Sequence, residues 1–382
     1  MSATQEIKLD TPVEADPEPR GSPTGEIDIR ILDRLEAVAI DSVAWDRLAD
    51  NARVPNPFYE RWHLVPALKY LDKNEKIFVV TGYDAGRLVC LFPVCLKRIG
   101  VFFLYLKLWA FCDCLMSDVL YIQGVPLDSV FRRVMDRLRV HMIVSPKHRN
   151  EGFDIANGCN FSQSRLSRKG VSMPRTWDEY LRELPRKHRK ENKRIMTRLL
   201  EKEGAHYVSS EDELVAKWLP RYMETEKRSW KAKRGSVISS DSDRTNYFAE
   251  AIGAGEGGKK VEFQSVVKDD VVFAMSFRFK AQDNAYEIKT VYDEAYKNYN
   301  PGVVLELLNI RGALEKGFTL VDSCAFENKV ADRLWPDVIH LYRTRVFRKT
   351  LAGEVARALY VTYRNVLVRL KKAQNLLGDW YS

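Results

Sequence analysis

The chain has 382 residues, 45% of them hydrophobic and 30% charged, with 61 Lys+Arg against 52 Asp+Glu for a formal net charge of +9. That apolar share belongs to a globular protein with a sizeable core and excludes disordered, collagen-like and coiled-coil chains; at about 100–200 residues per domain the length calls for two domains or one elaborate one. The positive excess leaves nucleic acid, an anionic membrane face or a phosphorylated ligand open as partners, so its location matters more than its sum.

Residues 1–30 hold seven acids and three bases, net −4, with Pro12, Pro17, Pro19 and Pro23 and no apolar run. This predicts a flexible acidic tail over 1–25, and not a signal peptide. Asp41 is placed to cap a helix containing Trp45 and Leu48, and Asn56-Pro57-Phe58 to open a second with Trp62, Leu64, Leu68 and Leu71 on one stripe. Lys76–Tyr83 and Arg87–Leu96 flank Asp84-Ala85-Gly86, a hairpin signature. Strands are expected at 101–109 and 118–123, then a helix from Leu127 to about Arg139. The apolar stretch Ile99–Met116 is interrupted by Lys107 and Asp113 and falls short of the ~20 residues of a membrane span, so it reads as buried strands.

Three or four helices are expected across residues 176–253, then a second hairpin, Lys260–Val267 and Val271–Lys280 around Lys268-Asp269-Asp270. The two hairpins align without a gap at an offset of 184 residues, which points to an internal duplication. A third strand, Asn284–Tyr292, leads through a polar loop to Asn300-Pro301-Gly302 and the helix Val303–Lys316, stopped by Gly317. Phe318–Cys324 and about His340–Phe347 read as strands and 351–376 as a helix, an α+β plan. The expected divisions are the tail 1–25, a first half 26–170, a second half 171–350 and a basic amphipathic helix in 351–382.

Six cysteines are too sparse for a disulfide framework, and Cys112-Asp113-Cys114 lacks a second ligand pair, so no metal is expected. Phosphate-loop, dinucleotide-loop, zincin and nucleophile-elbow patterns are missing. The informative run is Tyr286–Gly302, YEIKTVYDEAYKNYNPG: a strand, a polar loop, and a helix start that offers unpaired N–H groups and a positive dipole end to a pyrophosphate.

Five stretches carry a family resemblance: Trp45 with Asn56-Pro57-Phe58; the basic run Leu184–Asn192; Glu226–Lys231 with Gly235; Lys289 with Tyr292-Asp293, Tyr296 and Pro301-Gly302; and Gly317 with Asp322 and Trp335. In these the chain resembles the GNAT acyl-CoA-dependent acyltransferases, within them the CelD-like branch of polysaccharide biosynthesis, related to FemAB-like transferases. The resemblance implies tandem GNAT-like halves with mostly antiparallel sheets flanked by helices, the second half binding acetyl-CoA or another acyl-CoA. It also implies direct attack of an amine, on a sugar or envelope precursor, upon the thioester. Gly302 and Val303, with Asn300, would receive the phosphates, and backbone at Lys289, Thr290 and Val291 would pair with the pantetheine amides. Glu287 and Asp322 are the candidate bases, Tyr292 or Tyr342 the proton donor to the departing thiolate. Glu226, Trp230, Lys231 and Arg189 would line the acceptor cleft.

Residues 182–202 carry nine bases and three acids, net +6, and the chain from Arg343 onward nine bases and two acids, net +7. The resemblance favours ligand or acceptor contact over RNA for the first. For the second, Val355, Leu359, Val366, Leu367 and Leu370 make an apolar stripe that suits packing on the second half, an anionic membrane face or a synthase. The expectation is a cytoplasmic enzyme. Two alternatives differ in class: a FemAB-like transferase drawing on aminoacyl-tRNA, and a non-catalytic partner of an envelope polysaccharide synthase.

Overall fold

The computed structural model describes residues 23 and 25–362, apart from 100–102, 112, 150–159, 174, 211–214, 234, 236, 254–256 and 327–329. The predicted tail and residues 363–382 lie outside the described residues, as do Cys112 and Cys159.

The first half opens with β1 (Asp28–Leu32), α1 (Arg34–Val38) and α2 (Ser42–Asp50). Asp41 Oδ1 accepts the Ala44 N–H at 2.7 Å, as expected of a cap. The next helix, α3, begins later than expected, at Arg61–Tyr70, because Asn56 is a buried loop clamp whose Nδ2 donates to the Asp118 carbonyl at 2.7 Å. The hairpin β2 (Ile77–Asp84)–β3 (Arg87–Ile99) is followed by β4 (Phe103–Leu108), the short β5 (Leu120–Tyr121) and α4 (Leu127–Arg137). Two further strands complete this half, β6 (Met142–Arg149) and β7 (Asn160–Ser172).

The second half begins with α5 (Trp177–Glu183), α6 (Arg186–Met196), β8 (His206–Ser209), α7 (Trp218–Lys227), α8 (Trp230–Lys233), α9 (Ser242–Gly253) and α10 (Gly257–Lys260). The meander β9 (Val261–Lys268), β10 (Val271–Ala281) and β11 (Asn284–Tyr292) leads to α11 (Pro301–Glu315), β12 (Leu320–Phe326), α12 (Ala331–Leu334) and β13 (Asp337–Phe347).

The duplication is visible in register. β9 begins and ends, and β10 begins, 184 residues after β2 and β3 do. Ala85 and Asp269, also 184 apart, both turn at positive φ (47° and 50°). Each hairpin then carries a bulge in its second strand, at Val89 where Gly82 pairs with Cys90 and Tyr83 with Leu88, and at Phe273 where Val266 pairs with Ala274 and Val267 with Val272.

One sheet runs through both halves, in the order β1-β2-β3-β4-β6-β13-β7-β12-β11-β10-β9-β8, with β5 on β3. The order is palindromic. β4 lies parallel to β6, and β11 parallel to β12, but β6 takes its next partner, β13, from the second half, while β12 takes β7 from the first. The long antiparallel pair β7–β13 joins them over eleven registers, Asp337↔Gly170 to Phe347↔Asn160. A boundary at 170/171 therefore falls inside β7, a strand shared by both halves. Gly170 fits there because a Cβ would sit 2.5 Å from Ile339 Cδ1 and 2.8 Å from the Val321 carbonyl oxygen.

The halves also share a core: Trp62 and Phe58 of the first pack edge-on against Phe279 of the second, and Tyr247 of α9 hydrogen-bonds His63 of α3. After β13 the chain is helical from 351 through 362. Ala356 is buried and Tyr360 lies against Phe347, while Leu351, Val355 and Leu359 are exposed, so the described part of the predicted stripe does not pack on the second half.

Candidate active site

β11 and β12 pair for three registers only, Asn284↔Leu320 to Tyr286↔Asp322, and then diverge. Both strands are irregular where they part. On β11, Lys289 pairs with Phe277 and Glu287 with Arg278, which leaves Ile288 as a bulge. On β12, the register against β7 slips between Asp322 and Phe326, and Cys324 takes φ 55°. The divergence opens a cleft of about 500 Å³. One wall is β11 from Glu287 to Thr290 with Tyr292; opposite are Ser323–Ala325 of β12 and Trp335; α8 contributes Trp230 and Lys231.

The start of α11 closes one end with Asn300, Pro301, Gly302, Val303 and, one turn on, Glu306. Asn300 sits in the left-handed region (φ 53°, ψ 46°) without a side-chain cap, and Pro301 at the first helical position has no N–H. Val303 and Val304 donate back to the Asn300 carbonyl at 3.0 and 3.1 Å, while the Gly302 N–H has no acceptor among the described residues. A Cβ at Gly302 would stand 3.3 Å from the Tyr292 ring, so glycine is what lets the helix end approach the strand.

Charge around the cleft comes from both halves. Asp113 of the first half receives Lys289 Nζ on Oδ1 at 2.8 Å and Arg244 on Oδ2 at 2.6 Å. Burial alone would raise the Asp113 carboxyl; the two cations outweigh it and hold it below the usual range. Burial, reinforced by Lys289, pushes the Lys231 ammonium down to about 8. Burial raises the Glu287 carboxyl against the pull of Arg278, whose Nε lies 3.0 Å from Oε1; Asn309 Nδ2 donates to Oε2 at 3.3 Å. Burial carries Glu306 up to about 7, against the Trp335 Nε1–H that donates to its Oε2 at 3.2 Å and with the help of the Glu287 charge.

Of the residues singled out from sequence, the cleft brings together Glu287, Lys289, Thr290, Tyr292, Asn300, Gly302, Val303, Trp230 and Lys231. Five others lie outside its wall. Asp322 is 1% exposed and engaged elsewhere: Arg168 Nη1 lies 3.1 Å from Oδ2, and the Cys324 N–H donates to Oδ1 at 2.8 Å. Glu226 is fully buried in α7 and accepts the Ile238 N–H at 2.6 Å, anchoring the loop beneath Lys231. Val291 turns its side chain into the core, and Arg189 sits on α6 away from the cleft, as Tyr342 sits on β13. Sequence reasoning missed Glu306 as a site residue. The signal was there, because a residue four after Gly302 falls on the same helix face.

A parallel pair that splays at a bulge thus meets, in one cleft, a helix start whose Gly302 N–H is unsatisfied among the described residues. The chain accordingly carries an acyltransferase domain: residues 186–332 match the family model described as an acetyltransferase (GNAT) domain. No curated protein sequence matches the chain. Among solved structures it is similar to FemX (10% identity, TM-score 0.53, 80% of this chain and 96% of that one). It is also similar to the C-terminal domain (DUF2156) of a putative lysylphosphatidylglycerol synthetase from Agrobacterium fabrum (9%, 0.51, 85% and 96%). A third is L-PGS from Bacillus licheniformis (12%, 0.51, 84% and 96%). At these identities the likeness is one of fold, and it spans both halves. Among the described residues no helix is long and apolar enough to cross a membrane.

Proposed function

We propose that the protein transfers an acyl group from acyl-CoA, most simply acetyl-CoA, to an amine on a sugar or envelope-polysaccharide precursor, as expected of the CelD-like branch. The observation that carries this is the splayed β11–β12 seam with Gly302 at its end. The donor pyrophosphate would sit on the Gly302 N–H beside Asn300 and Lys297; the Val303 N–H expected to share it donates instead to the Asn300 carbonyl. Its pantetheine would add a strand along Lys289–Tyr292, whose β12 side has no strand partner after Tyr286 among the described residues. The thioester would then lie near the Ile288 bulge, where a backbone N–H would stabilise the carbonyl oxygen as charge develops. Tyr292, whose ring lies against Gly302, would meet the phosphate end of the donor, and Trp230 and Lys231 would hold the acceptor. Direct attack needs no covalent enzyme intermediate. The test is thiol release from acetyl-CoA with amino-sugar acceptors, beside a thermal shift with the donor alone; folded protein that shows no shift at millimolar acetyl-CoA refutes the reading.

A second reading, a FemAB-like transferase that takes its acyl group from aminoacyl-tRNA, is favoured by the fold likeness to FemX and by α6. There Arg186, Lys187, Lys190 and Lys193 are exposed and have no carboxylate partner among the described residues. Salt-sensitive tRNA binding would distinguish it.

A further inference from the structure

An amine attacking an acyl carbon must shed a proton, and among the described residues the cleft contains two carboxyl side chains, Glu287 and Glu306. Their surroundings separate them. Glu287 has Arg278 on one oxygen and Asn309 on the other, beneath α11. Glu306 is tied by Oε2 alone, to the indole N–H of Trp335, and Oε1 accepts no hydrogen bond among the described residues. Asp322, a third carboxyl at the seam, is locked to Arg168 outside the wall.

We propose that Glu306 is the general base of the transfer: Oε1 takes the proton from the acceptor nitrogen while Trp335 holds the carboxylate in place. The inference rests on the acyl-transfer reading but not on which donor is used. With acyl-CoA as donor, the C–N bond forms and the C–S bond breaks. The nitrogen's surplus proton passes to Glu306, which gives it to the thiolate once the product is formed and so resets the site. The charged and titratable groups that face Glu306 are Glu287 and Lys289 from β11, Lys231 from α8, Cys324 from β12 and Tyr180 from α5. Burial, with the Glu287 charge, brings Glu306 to about 7, where a carboxylate is basic enough to accept a proton and still ionised at neutral pH.

The experiment begins with acetyl-CoA thermal shifts of wild type and E306Q, which test the donor reading by themselves. A shift in neither refutes acetyl-CoA as donor without touching Glu306. For the base, thiol release from acetyl-CoA is followed from pH 5 to 9, with water and with glucosamine as acceptors. Wild type should rise through one ionisation near pH 7. E306Q should lose about 10²-fold or more in kcat, flatten the profile and keep the KM for acetyl-CoA within about threefold. Trp335 fluorescence, taken as the difference between wild type and W335F, should titrate near pH 7 and cease to do so in E306Q, whatever the donor. An E306Q enzyme that keeps the wild-type rate and profile overturns the assignment. So does wild type that binds acetyl-CoA yet releases no thiol at any pH, or a Trp335 signal without a transition between pH 6 and 8.

Discussion

Carboxyl groups close in sequence to the seam have separate roles because burial and partners differ at each. Asp322 and Arg168 are both 1% exposed, and an ion pair that deep is costly to break from one side, about 3–5 kcal/mol. Asp322→Ala should therefore unfold the protein several kcal/mol sooner in urea, and its activity should fall in step with the folded fraction; a stable but inactive variant would return Asp322 to the chemistry. Lys231 gives a second residue-level expectation. Its pKa is lowered to about 8, so it is charged below that pH and neutral above it. Binding of an anionic acceptor should weaken as pH rises through 8, and Lys231→Met should remove that dependence. Titration calorimetry at pH 7 and 9 measures both.

At the scale of elements, the parts that carry strong local signals were legible. The strand at Asn284–Tyr292 matches residue for residue, the two hairpins fall where alternation put them, and the helix after Asn300 begins two residues early because Pro301 is its first residue. β6 and β7 were not legible: Met142–Arg149 contains Pro146, Lys147 and His148, and most of Asn160–Ser172 is polar or small, so neither shows a clean apolar face. They are strands because both are gripped on each side, a tertiary cause that no local pattern displays. The same holds for the site. Gly302 was readable from the tripeptide that opens a helix, whereas Glu306 becomes visible only once Trp335 and the diverging strands surround it. Gly170 tests the packing: Gly170→Val should cost about 1–3 kcal/mol or more, because the new side chain meets the Val321 carbonyl as well as the flexible Ile339. Denaturant unfolding decides it, and an unchanged midpoint would mean that β7 has room.

For the whole molecule, the exchange of β7 and β13 ties the halves together. A fragment of residues 171–350 keeps β13 and β12 but loses nearly all of β7, which pairs with both, and should aggregate where the full chain is monodisperse in size-exclusion chromatography. A soluble, cooperative fragment would show that the second half stands alone. The +9 charge also gains an address: the exposed cations of α6 lie on the domain that forms the cleft, and Lys231 and Lys289 lie within its wall. The site thus draws on both halves, since Asp113 of the first fixes Lys289 of the second. The most direct test of the account is a crystal structure with acetyl-CoA bound. The pyrophosphate should lie on the Gly302 N–H, and the thioester between β11 and β12 beside Ile288. A donor bound elsewhere, or a seam that stays empty in folded protein at millimolar acetyl-CoA, would contradict it.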